Sequence, residues 1–241
     1  MSSKVIINPG HGPKNSGVFD PGAVGPSRIR EADVNLAVAK LLKPLLEAAG
    51  AQVLLVRDGD LSDVVNTANV SGADYFVSIH CNAAADPAAH GTETYIYSEN
   101  SKAMSLAKAI QAAAVEALGA TDRGVKVRPG LYVLRKTVMP ALLIELAFVS
   151  NPAEEQILAS AGAQNRIALA LANAIKEQLG LRPGPDPAAD EEIRIFLHGA
   201  QLVELSGKLI DGTTYLPARV IAEAWGFRVD WQPGRVDVWP A

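Results

Sequence analysis

Four side chains stand at positions where chemistry is easier to explain than packing. His11 follows the apolar run Lys4 to Asn8 (KVIIN) across a Pro9-Gly10 turn, and His80 closes the run Asp74 to His80 (DYFVSIH). Glu145 interrupts the apolar run Ala141 to Leu146 (ALLIEL), and Glu31 opens a stretch with helical period. Taken singly, each histidine suits a hydrogen-bonded structural role, and an acid near a helix start favours the helix dipole. Glu145 is harder to dismiss, because an unpaired buried carboxylate costs on the order of several kcal/mol. Two histidines and one carboxylate suit a catalytic zinc ion, with a fourth position left open for water. Such an ion lowers the pKa of bound water to about 7 and polarises a carbonyl. A further carboxylate must then move protons between water and a leaving amine, and Glu145 fits that task. Burial raises its pKa and a neighbouring metal lowers it; the sequence leaves the balance open.

These residues converge only if the surrounding elements bring them together. Lys4 to Asn8, Ala51 to Val56, Asp74 to Ile79, Thr92 to Tyr97, Leu131 to Leu134 and Ala141 to Leu146 read as strands, being short, apolar and rich in β-branched residues. Helical patterns run from Glu31 to Ala49, Ser101 to Leu118 and about Ala163 to Leu179, each followed by glycine. Pro44 inside the first is expected to kink it. Asn151-Pro152 with Glu154 and Glu155 is a further helix start: an Asx cap, a proline and acids in the first turn. Strands alternating with helices predict an α/β fold, a twisted, mostly parallel sheet with helices on both faces. Ligands bind at the carboxyl ends of strands in such sheets, which is where His11 and His80 stand.

Apolar residues make up 49% of the 241 and charged residues 20%, a globular composition. The net charge of −4 argues against a nucleic-acid footprint and against anionic lipid surfaces. No apolar run is long enough to span a membrane. The one cysteine, Cys81, allows no internal disulfide, so packing, with help from a metal, must hold the fold. Residues 1–181 are expected to form the catalytic domain. Residues 182–192 (RPGPDPAADEE), with three prolines and four acids, read as an extended linker. Residues 193–241 then form a small α+β module, with a short helix at Pro217 to Trp225.

Several blocks carry a family resemblance. They are Asn8-Pro9-Gly10-His11-Gly12, Asp20-Pro21-Gly22-Ala23-Val24-Gly25 and Glu31-Ala32-Asp33-Val34-Asn35-Leu36. Further on come Ser78-Ile79-His80-Cys81-Asn82-Ala83, Gly91-Thr92-Glu93-Thr94-Tyr95 and Met139 to Pro152. In this order they resemble the zinc amidases of the amidase-3 family over about residues 4 to 180. The one small departure is Asn8, where the family often has Asp. The resemblance implies that His11, Glu31 and His80 bind Zn2+ and that Glu145 is the general base and acid. It implies hydrolysis, in peptidoglycan, of the amide between the lactyl group of N-acetylmuramic acid and L-alanine. It also implies an unplugged site, since only Ser98 to Asn100 stands where some members insert a blocking helix.

Asn82 shares the side of His80 and is a candidate substrate contact; Glu93 is another, with no role assigned. Cys81 points away from His80, His90 sits in a polar loop, and His198 has no evident partner. Residues Ile193 to Val238 resemble the small stalk domain named after the N-terminal domain of copper amine oxidases, and wall attachment is the expected role. Trp225, Trp231 and Trp239 there suit either sugar stacking or a core. Two competing readings are a wall-binding protein that has lost catalysis and a zinc carboxypeptidase. The first would normally lack one of the four residues, and the second wants a carboxylate-binding arginine that no sequence block offers. The expected partner is peptidoglycan, with no nucleic acid and no membrane, at the cell wall or outside the cell. No secretory pattern precedes the first strand, which suits an autolysin shorn of its leader or a phage endolysin released from the host. Oligomeric state is left open.

Overall fold

The computed structural model describes residues 3–181 and, beyond them, the backbone of the strands between 193 and 240. The chain divides into two compact units, Met1–Arg182 and Pro183–Ala241.

The first unit is built on a six-stranded sheet in the order β4-β1-β5-β8-β6-β7. Its strands are β1 (Lys4–Pro9), β4 (Gln52–Leu55), β5 (Tyr75–Asn82), β6 (Thr92–Ile96), β7 (Asp122–Val127) and β8 (Ala141–Phe148). Strands β4, β1, β5 and β8 are parallel, β6 runs antiparallel to β8, and β7 is parallel to β6. The sheet is therefore mostly parallel, as the sequence predicts. The reversal matters for the site: the amino end of β6 lies beside the carboxyl ends of β5 and β8. The minimal strands β2 (Gly12–Pro13) and β3 (Phe19–Asp20) form a hairpin after β1.

Strand alternation gives the two faces different characters. Val5, Ile7, Val77, Ile79, Cys81, Ile96, Leu142, Ile144 and Leu146 point to one face. Helices α1 (Glu31–Ala48), α3 (Met104–Leu118) and α6 (Ala161–Leu179) cover it with Val38, Leu42, Leu46, Leu106, Ile110, Ile167 and Leu171. Apolar residues three and four apart make one stripe on each helix, which is what the sheet buries. Ile6, Phe76, Tyr95 and Leu143 point to the other face, under α2 (Leu61–Val70) and α4 (Tyr132–Lys136). Continuing along the strands on that same face gives Asn8, Ser78, His80, Glu145 and Glu93. The second face is thus apolar under its two short helices and polar toward the carboxyl ends of the parallel strands.

α1 runs on through Pro44 as a single helix. α3 and α6 stop at Gly119 and Gly180, both left-handed with φ 62° and 59°. α5 (Pro152–Ala159) starts as its sequence dictates, with the Asn151 side chain accepting from the amides of Ala153 and Glu154. Its first-turn acids also tie down distant loops. Glu154 accepts from Gly91 N at 2.8 Å and Phe148 N at 2.6 Å. Glu155 accepts from Ser27 N at 2.9 Å, fixing the segment that leads into α1.

One expected element is different. Leu131 to Leu134 is not a strand: Tyr132–Lys136 is the short helix α4, which buries Val133 and Leu134 on the sheet. A four-residue apolar run carries no period of its own, and the packing surface decides. The elements of the first unit not expected are the minimal hairpin β2–β3, α2 and β7. α2 has a capping box between Asp60 and Asp63. β7 mixes charged residues and glycine with two valines.

In the second unit the described strands pair antiparallel as three hairpins: β9 (Ile193–Leu197) with β10 (Ala200–Leu205), β11 (Lys208–Ile210) with β12 (Thr213–Tyr215), and β13 (Phe227–Gln232) with β14 (Arg235–Pro240). The expected linker, the expected helix at 217–225, His198, Trp225 and the side chains of Trp231 and Trp239 lie outside the described residues.

Candidate metal centre and hydrolytic site

Sheet register builds the site. His80 on β5 pairs with Glu145 on β8, and Glu145 pairs with Glu93 on β6. Gly10, just past β1, donates its N–H to Ile79 O at 2.9 Å. Gly10, His80, Glu145 and Glu93 therefore form one row across four strands. A Cβ on Gly10 would lie 2.1 Å from the His80 ring, so glycine there is what lets the imidazole lie across β1. The β5–β8 register slips between His80 and Asn82, a bulge that re-aims the end of β5.

His11 enters from the turn after β1 with φ 65°, a left-handed conformation that is uncommon for a histidine. Its carbonyl accepts from Arg57 Nε at 3.0 Å, which holds the turn. Its Nδ1 meets Asp20 Oδ2 at 3.1 Å. That carboxylate fixes the proton on Nδ1 and leaves Nε2 facing inward, the usual support for a metal-binding imidazole. Glu31, the first residue of α1, has a carboxylate only 5% exposed. It accepts from Ala23 N at 2.9 Å and Cys81 N at 3.1 Å. Asn35, one turn later, reaches it at 3.4 Å.

Glu31 joins the histidines. Its Oε2 lies 3.3 Å from His11 Nε2 and its Oε1 lies 2.8 Å from His80 Nδ1. One ligand atom from each of His11, Glu31 and His80 can be chosen so that all lie within 4.8 Å of one another. Ligands about 2.0–2.2 Å from a tetrahedral zinc ion stand roughly 3.4 Å apart, so these atoms are gathered closely enough to close on such an ion. The hydrogen bonds that His11 donates to Glu31 and Asp20 push its pKa to about 9 against the opposing effect of burial. Burial opposes ionisation of Glu31 as well, but the two imidazoles hold its pKa well below the carboxylate range. A cation between these atoms would replace the imidazolium protons and use the same lone pairs. The donor set fits such an ion.

Two carboxylates beside the triad are treated in opposite ways. Glu93 is 3% exposed and fully partnered. Asn82 Nδ2 donates to its Oε1 at 2.6 Å and the Tyr95 phenol at 2.5 Å. Arg123 Nε donates to its Oε2 at 3.0 Å, and Lys126 also binds there. Burial would raise its pKa, but Lys126, Tyr95 and Arg123 hold it at about 2. Glu145, its cross-strand neighbour, has a buried Oε2 without a hydrogen-bond partner, alone in this among the described residues. Burial, then repulsion from Glu31 and Glu93, raises its pKa to about 8.

The structure thus brings His11, Glu31 and His80 into one cluster with Glu145 in the same row. It joins Asn82 to Glu93 rather than leaving it free. Cys81 is buried in the opposite core and His90 is exposed in its loop. Asn8 bonds Val56 O at 2.7 Å and the Ser78 hydroxyl at 2.7 Å, so it holds adjoining strands together. Sequence reasoning gave no role to Asp20, Asn35, Arg57, Arg123 or Lys126. Asp20 and Asn35 lay in blocks already singled out; the cations lay in segments with no such signal.

Residues 5–177 match the family described as N-acetylmuramoyl-L-alanine amidase (Amidase_3). The chain belongs to the N-acetylmuramoyl-L-alanine amidase family. It is 36% identical over 177 residues to N-acetylmuramoyl-L-alanine amidase LytC of Bacillus subtilis, covering 71% of this chain but 34% of LytC. It is 36% identical over 193 residues to the endolysin of Bacillus phage SPP1, covering 76% of this chain and 68% of the endolysin. Among solved structures, the catalytic domain of CwlV from Bacillus (Paenibacillus) polymyxa superposes with TM-score 0.68 at 36% identity. That likeness covers 75% of this chain and 99% of the CwlV domain.

Proposed function

We propose that the first unit is a zinc-dependent amidase that cleaves the bond between the lactyl carbonyl of N-acetylmuramic acid and L-alanine in peptidoglycan. The observation that carries the reading is the buried, unpartnered Oε2 of Glu145, which stands in one row with His80 of a three-residue cluster able to hold a cation. His11, Glu31 and His80 would hold the ion, which when bound would activate water and polarise the scissile carbonyl. Asp20 and the backbone amides of Ala23 and Cys81 orient these ligands.

Glu145 does the proton work. As a carboxylate it takes a proton from the attacking water while the new C–O bond forms. As an acid it gives that proton to the amide nitrogen while the C–N bond breaks, and L-alanine leaves as a free amine. Its raised pKa keeps the acid form accessible near neutrality; a nearby divalent cation pulls the other way and favours the base. A group poised between the two forms can serve both half-reactions. Glu93 stays ionised throughout and supports the row as a fixed charge.

The likeness to both a Bacillus amidase and a phage endolysin suits an enzyme acting on the cell wall, secreted or released by lysis. Among the described residues no helix is long and apolar enough to cross a membrane. Residues 193–241 are proposed as an accessory module that retains the enzyme on the wall, joined through residues 182–192.

Product analysis on purified peptidoglycan tests the reaction. The expected result is new L-alanine amino termini with an intact glycan, loss of release with a chelator, and recovery with added zinc. Release of reducing sugar ends or of terminal D-alanine instead would discard the amidase reading.

A further inference from the structure

The strip of sheet beyond Glu93 carries more cations than the hydrolytic row uses. β7 carries a bulge: Thr92 and Thr94 of β6 pair with Asp122 and Val125, so β7 has one extra residue, and Gly124 there has φ 79°. The bulge turns Arg123 toward Glu93, and Lys126, opposite Tyr95, reaches the same carboxylate. Two residues on, Arg128 is anchored by its own N–H to Ile96 O at 2.8 Å. Its guanidinium lies over the Tyr95 ring, 5.3 Å from the centroid. The ring is fixed in turn by its phenol, which donates to Glu93.

Arg123 and Lys126 share one carboxylate. Arg128 is exposed and, among the described residues, pairs with none. A planar guanidinium oriented on an aromatic ring is pre-organised to take a carboxylate through two parallel hydrogen bonds. The chain as a whole is acidic, at −4, so this strip is not a by-product of general basicity.

We propose that Arg128, seated on Tyr95 with Lys126 beside it, is a specificity residue that binds a free carboxylate of the stem peptide. This rests on the reading that the Gly10–His80–Glu145–Glu93 row cleaves the muramoyl amide. Only the peptide side of that bond can supply the ligand, since the lactyl carboxyl is consumed in the amide itself. Arg128 follows Val127, the partner of Ile96, so its backbone stands four residues along from the Glu93–Glu145 level, about 13 Å in the strand direction. Its side chain turns back over the Tyr95 ring, whose phenol donates to Glu93, and so points the guanidinium toward the row. An extended peptide covers about 3.3–3.6 Å per residue, so its second and third residues advance about 7–11 Å from the scissile bond toward that side chain. The peptide then runs from the row across β6 and along β7.

The test compares wild type, Arg128→Ala and Arg128→Lys on soluble muropeptides with free or amidated carboxyls. Arg128 is exposed and outside the core, so both variants should fold. For free-acid substrates, Arg128→Ala should lower kcat/KM about tenfold or more, chiefly through KM. Arg128→Lys, which keeps the charge but not the fork, should fall between. The difference should shrink in high salt. On fully amidated substrates wild type and variants should coincide. Substrates amidated at the second or the third residue alone identify the carboxylate bound: the one whose amidation removes the difference. Equal losses on acid and amide substrates, or no loss, would overturn the assignment while leaving the reaction intact. A wild type inactive on every muropeptide would overturn the reaction itself, and this inference with it.

Discussion

Glu93 and Glu145 face each other across a single strand pair and could hardly be housed more differently. Glu93 accepts from Asn82, Tyr95, Arg123 and Lys126 and is held ionised at about 2. Glu145 leaves an oxygen buried without a partner and is pushed to about 8. Burial alone does not mark a working carboxylate, because Glu93 is the more buried of the two. What marks it is burial left uncompensated next to a cluster that can hold a cation. One glutamate is built into the fold, and the other is kept available at a cost to it.

The largest effect should come from breaking that contrast at Glu145. Glu145→Gln should lower kcat by about a hundred- to ten-thousand-fold. The melting temperature of the zinc-loaded protein should not fall by more than a few degrees, because no hydrogen bond to Oε2 is lost. Hydrolysis assays alongside thermal melts check both halves. Next comes the support of the triad. Asp20→Asn, which disturbs the Nδ1 partner of His11, should weaken zinc affinity about ten- to a hundredfold, read by competition with a chelating dye.

Glu93→Gln should do the reverse of Glu145→Gln, costing stability more than chemistry. It strands Lys126 and Arg123 beside a neutral amide. Both are about a third exposed and can recover some hydration. The loss should then be about 2 kcal/mol, below the figure for a fully buried pair, measured by urea unfolding.

The pH slope comes last, and it differs in sign between the two glutamates. Glu93 has a folded pKa of about 2, below its ordinary 4.5, so its stabilisation is full above 4.5 and lost as pH falls toward 2. Glu145 has a folded pKa of about 8, above the ordinary 4.5. The folded state then binds the extra proton, and metal-free stability falls as pH rises from 4.5 to 8. Glu93→Gln should flatten the acid limb and Glu145→Gln the neutral one. Unfolding of the chelated proteins across pH 2 to 8 checks this. The same slope in both variants would remove the contrast.

The sequence reveals the side of this contrast that lies along the chain and conceals the side that lies across it. His11, His80 and Glu145 could be singled out because each breaks a strand pattern within a few residues. Glu93 could be named but not given a role, since its partners come from β5 and β7 and only register brings them together. β7 itself went unread because the segment Asp122–Val127 (DRGVKV) mixes charge and glycine, and pairing with β6 rather than local propensity makes it a strand. Leu131 to Leu134 misled for the converse reason: it is apolar enough for a strand, yet it lies over the sheet as part of a helix. The Asp20–His11 contact joins two blocks already noted, nine positions apart across the β2–β3 hairpin, but nothing local says which histidine atom it serves.

The most direct test measures zinc content and amide hydrolysis in the same preparations of wild type, Glu31→Gln and Glu145→Gln. The account predicts one zinc per chain and release of L-alanine amino termini for wild type, zinc without release for Glu145→Gln, and neither for Glu31→Gln. Full activity in Glu145→Gln, or undiminished zinc in Glu31→Gln, would contradict it.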